Sequence, residues 1–86
     1  MNINETGTGN FSVYPNPTFG NFTVNASVAG KFELYTTLGQ KLEEYNVIAG
    51  QTALQLPMNI AVGIYMGLYK PNDGGTTKEV KFVYQP

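Results

Sequence analysis

The chain has no cysteine, no histidine, no arginine and no tryptophan, and most of these absences close a class of function. Without cysteine there is neither a disulfide framework nor a thiolate nucleophile. Without histidine, a serine nucleophile has no imidazole to take its proton, and zinc lacks its imidazole and thiolate ligands. Without arginine there is no bidentate fork for bases, and five lysines against six acids supply no basic field, so nucleic acid is not an expected partner. Long hydrophobic runs are missing too. The longest, Ala61–Tyr69, contains two glycines and falls short of the ~18 apolar residues of a membrane-spanning helix. The start, Met1–Asn10, lacks the basic beginning and apolar middle of a secretory signal peptide.

What remains is a chain of 86 residues with 42% hydrophobic and only 13% charged residues, ten glycines, five phenylalanines and six tyrosines. Such a chain is apolar enough to fold, as one domain with a modest core. Apolar residues alternate with polar ones, and clusters of Gly, Pro and Asn interrupt the alternation about every 8–12 residues. The expected strands are Phe11–Tyr14, Asn21–Asn25, Lys31–Thr36, Gln40–Val47, Thr52–Leu56, Gly63–Lys70 and Thr76–Gln85. Seven short strands in so short a chain predict an all-β, immunoglobulin-like antiparallel sandwich, with a small antiparallel barrel as the topological alternative. The pairs Phe22/Val24, Phe32/Leu34, Leu54/Leu56 and Val80/Phe82 sit two apart with a polar residue between, so they are expected to face the core. Ile64–Tyr69 is apolar on both faces and reads as a central strand. Two turns have clear chemistry: Gly39 supplies a positive φ between two strands, and Pro71-Asn72-Asp73-Gly74-Gly75 closes a hairpin.

Catalytic constellations are hard to assemble. Paired carboxylates would have to come from Glu33, Glu43, Glu44, Asp73 and Glu79. The strand pattern turns Glu33, Glu43 and Glu79 toward solvent, sets Glu44 on an edge and leaves Asp73 in a turn. Asn72 and Asp73 are explained by that turn and are far from an EF-hand pattern, and no phosphate-cradling glycine loop is present. No cofactor, metal or small-molecule substrate is therefore expected. Tyr35, Tyr65 and Tyr69 could stack on sugars. The competing reading for Tyr65, two residues after a glycine turn, is a sandwich tyrosine that bonds back to the backbone.

The segment Pro15-Asn16-Pro17-x-x-Gly20-x-Phe22-x-Val24 resembles the opening motif of the C-terminal sorting domains of the type IX (Por) secretion system of Gram-negative bacteria. Three further segments follow in the family's order. Phe32–Leu42, with its Gly39-Gln40 turn, is similar to the central strand-turn-strand; Gly63-Ile64-Tyr65 to the Gly-aliphatic-Tyr segment; Lys78-Glu79-Val80-Lys81-Phe82-Val83 to the terminal lysine-bearing strand. Thr36 stands where the family commonly has Asn, Met66-Gly67 interrupts a usually bulkier strand, and Gln85-Pro86 extends past the usual end.

The resemblance implies a non-enzymatic sorting signal at the C-terminus of a larger exported protein. It implies recognition by an outer-membrane receptor of the secretion machinery, and commonly removal by a sortase that joins the cargo to an anionic surface lipopolysaccharide. On this reading residues 1–10 are a flexible linker from an upstream cargo, with cleavage falling in or before it, and residues 11–86 are the sorting domain. The motif residues would be Pro15, Asn16, Pro17, Gly20, Phe22, Gly39, Gln40, Gly63 and Tyr65. The recognition strand would be Thr76–Gln85 with Lys78, Val80, Lys81, Phe82 and Val83, pairing through a sheet edge. An accessory immunoglobulin-like module that binds carbohydrate or spaces domains is the alternative.

Overall fold

Period-two alternation becomes seven strands in the computed structural model, which describes residues 11–85. They are β1 (Phe11–Tyr14), β2 (Asn21–Ala26), β3 (Gly30–Thr36), β4 (Lys41–Val47), β5 (Gly50–Gln55), β6 (Gly63–Pro71) and β7 (Lys78–Tyr84). Boundaries lie within two residues of the expected ones. The largest differences are in β5, which starts earlier at Gly50, and β7, which starts later, because Thr76 and Thr77 belong to the connection from β6.

One sheet has the order β1-β2-β5 and the other β4-β3-β6-β7, with every neighbour antiparallel. No strand of one sheet pairs with a strand of the other, so the architecture is a sandwich and not a barrel. In the constant-type immunoglobulin arrangement the fourth strand joins the sheet of the first, second and fifth. Here β4 follows β3 through the short turn at Thr37–Gln40, so it pairs as a hairpin and joins the other sheet. A register shift between Leu34 and Tyr35 kinks that pair.

The core lies between the sheets. Phe22 packs against Phe32, Tyr45 and Phe82, with ring centroids 5.8, 5.7 and 4.8 Å away. Val24, Phe32, Leu34, Tyr69 and Phe82 are wholly buried, and Ala26, Val47, Leu56 and Tyr65 nearly so. Six of the eight expected core residues are thus buried, while Leu54 and Val80 are half-buried on the rim of the cluster. β6 is central, with Tyr65, Gly67 and Tyr69 turned inward and Met66 and Leu68 partly covered on the other face. Gly67 is there because the Phe32 ring lies over it: a Cβ at 67 would sit 2.5 Å from Phe32 Cζ.

Candidate functional site

The Pro-Asn-Pro segment carries the chain from the edge of one sheet to the edge of the other. β1 ends at Tyr14 on the outer edge of the three-stranded sheet; Thr18 then pairs in parallel with Tyr84 at the end of β7. Both X–Pro bonds, Tyr14–Pro15 and Asn16–Pro17, are cis. Proline cannot donate to a ladder, so Asn16 and Thr18 make the bonds. The Asn16 carboxamide donates from Nδ2 to Lys81 O at 2.8 Å and accepts from Val83 N at Oδ1 at 3.0 Å, acting as a side-chain rung on the edge of β7. Thr18 N donates to Val83 O at 2.8 Å, and Thr18 O accepts from Gln85 N at 2.9 Å. The Thr18 side chain is wholly buried; its hydroxyl donates to Asn21 O and accepts from Gly20 N. Gly20, at φ 135°, makes the bend that returns the chain into β2, and its carbonyl accepts from Leu56 N.

β7 is the outermost strand of its sheet. Its side chains divide by face. Phe82 is fully buried and Val80 packs on the core, so neither is offered to a partner, while Glu79 and Lys81 are exposed and Val83 is partly so. The backbone divides by edge. Lys81 O, Val83 N, Val83 O and Gln85 N point away from β6 and are taken by Asn16 and Thr18. Since outward-pointing groups recur at every second residue of an antiparallel strand, the N–H of Lys81 and both polar groups of Glu79 also face outward. Among the described residues nothing bonds them.

The lysines also divide. Lys41 and Lys70 reach the Glu33 carboxylate at 3.4 and 3.1 Å, and Lys31 and Lys41 both pair with Glu44. Glu33 was expected to face solvent. It does lie on the outer face of the sheet, but it is only 5% exposed, and Tyr35 donates to its Oε1 at 2.7 Å. That hydrogen bond, opposed by burial and reinforced by Lys70 and Lys41, holds the Glu33 carboxyl below its ordinary range. Bonding to Glu33 first, with burial behind it, pushes the Tyr35 hydroxyl up. Glu44 is lowered by its bonds to Lys41 and Lys31, and Lys41 is raised chiefly by Glu44. Lys78 and Lys81, both on β7, have no carboxylate partner among the described residues.

The remaining motif residues build scaffold. Gly39, at φ 93°, and Gln40 form the β3–β4 turn, in which the Thr36 hydroxyl accepts from Leu38 N and Gln40 N. A short side-chain oxygen is all that this turn requires, which is why Thr can stand where Asn is common. Gly63, at φ 150°, opens β6, and the buried Tyr65 hydroxyl donates to Ala61 O. This is the tyrosine corner of sandwich folds. Tyr69 is wholly buried and donates to Val28 O at 2.6 Å. Sequence reasoning missed Thr18, because a single threonine after proline has no periodicity to mark it buried. It missed Glu33 for want of the outer-face partners, although Tyr35 two residues away was a usable sign.

Among the described residues no assembled catalytic group accompanies this geometry. An open cavity of about 680 Å³, lined by Pro15, Phe22, Tyr45, Leu54 and neighbours, contains no carboxylate. A smaller one of about 340 Å³ beside Tyr35, Met66 and Leu68 has Glu79 as its one carboxylate. Among the described residues no acidic cluster could hold a metal ion, and no helix is long and apolar enough to cross a membrane.

Fold and site together define a small antiparallel β-sandwich whose organised feature is a partly closed sheet edge. The sequence model of the family described as the secretion system C-terminal sorting domain matches residues 12–85, and the chain belongs to that family, the sorting domains of type IX secretion. No curated protein and no solved structure matches it. Membership makes the chain a sorting signal that acts with the secretion machinery on a secreted protein.

Proposed function

We propose that residues 11–86 are a non-catalytic address that directs an upstream cargo through the periplasm and across the outer membrane, where a receptor of the secretion machinery reads it. In this reading a sortase then removes the domain by cutting in or before the linker of residues 1–10, which lie outside the described residues, and leaves the cargo on the cell surface. The observation that carries the reading is the family match over residues 12–85, which spans all four ordered motifs. Support for a non-catalytic role comes from the same match, since sorting domains of this family are in general non-catalytic. The carbohydrate-module reading loses two of its three anchors, because the rings of Tyr65 and Tyr69 are buried and their hydroxyls are bonded to backbone.

The test is a reporter fused ahead of Met1, expressed in a host with the secretion system and in the same host without it. Export in the first and periplasmic retention in the second is the expected pair of results. Equal retention in both contradicts the reading.

A further inference from the structure

We infer that the open half of the β7 edge, Lys78–Lys81, is a docking rung for an extended segment of the secretion machinery that presents an acidic residue to Lys81. The inference rests on the sorting reading above and specifies the chemistry of its partner. Two independent observations meet on this strand.

The first is main-chain. Asn16 and Thr18 occupy the edge from Lys81 O to Gln85 N, and the groups left without a partner among the described residues are the Lys81 N–H and the N–H and C=O of Glu79. An added strand gains affinity from such groups, and the crossing segment fixes where it must stop. Its register is thereby set against Glu79 and Lys81.

The second is charge. Of five lysines, three are tied to Glu33 and Glu44 across the outer face of the sheet, and the two without a carboxylate partner among the described residues are both on β7. Lys81 is exposed next to the open edge, two residues from exposed Glu79 on the same face. Directly opposed cross-strand pairs favour opposite charges and disfavour like ones. The partner segment therefore carries an acid across from Lys81 and none across from Glu79.

The experiment is reporter export with single substitutions in the full chain, each checked for folding by circular dichroism and thermal melting. Glu79→Pro removes an edge N–H that no described residue bonds, at a position type where proline is tolerated in sheets. It should retain the melt and lose export. Lys81→Glu should lower export by about fivefold or more, as a pair turned repulsive does. Glu79→Lys should export at least as well as the unsubstituted chain. Normal export from folded Glu79→Pro, or equal export from Lys81→Glu and Glu79→Lys, overturns the docking rung while leaving the sorting reading intact. Failure of the unsubstituted chain to export overturns both.

Discussion

Asn16 shows how one side chain can stand in for a strand. Its amide offers a donor and an acceptor at the spacing of a backbone rung, and it spans from Lys81 O to Val83 N with proline on either side. Asn16→Ala should lower stability by about 1 kcal/mol, the net value of bonds that water can partly replace. Urea unfolding reads this, and an unchanged midpoint would reduce Asn16 to a turn residue. Glu33 is the other residue with a measurable signature. Its folded pKa is lowered, so the stability it contributes is full above the ordinary carboxylate value of 4.5 and is lost as pH falls through the folded value. Stability should hold near neutrality and decline below about pH 4.5. Glu33→Gln should be less stable at pH 7 by about 1–2 kcal/mol and flatter on the acid side, which unfolding curves at stepped pH check. Tyr45 works in the opposite range: burial, with Glu43 nearby, pushes it up to about 12. The unfolded chain ionises first, so this contribution is full below pH 10 and fades between 10 and 12.

At the scale of the element, β6 is the strand that the rest is built around, and its glycine is the sensitive point. A Cβ at position 67 meets Phe32 on one side and Val80 Cγ1, 3.1 Å away, on the other. Gly67→Val should destabilise by about 2–3 kcal/mol through overpacking, with the thermal midpoint as readout. Tolerance of valine there would mean that the Phe32 ring is not fixed. Much of this level was legible in the sequence. Alternation located all seven strands, and the core pairs around Phe22, Phe32 and Phe82 followed from a period of two. Outer-face burial was not legible. Glu33 is covered by Tyr35, Lys41 and Lys70, which come from β3, β4 and β6, and strand neighbours are fixed by topology that periodicity does not encode. For the same reason Thr36 read as a departure from its family, when its hydroxyl makes the bonds that the turn needs.

At the scale of the whole molecule, both lateral openings of the sandwich are stitched. On one side Asn16 and Thr18 bind the end of β7; on the other the Tyr45 hydroxyl donates to Gln55 O at 2.7 Å, joining β4 to β5. The motif that marked the family in the sequence therefore acts first as a closure. The sequence placed Pro15-Asn16-Pro17 and the β7 lysines at opposite ends of the chain, and only the fold makes them neighbours. Deleting Lys78–Pro86 would take Phe82 out of the core along with the edge, so point substitutions separate signal from fold more cleanly than truncation. The central claim is that the folded sandwich itself is the address. The direct measurement fuses a reporter immediately ahead of Phe11, omitting residues 1–10, and follows it by cell fractionation in a host with the secretion system. Reporter outside the outer membrane at the level of the full-chain fusion is the predicted result; a folded fusion held in the periplasm would contradict the account.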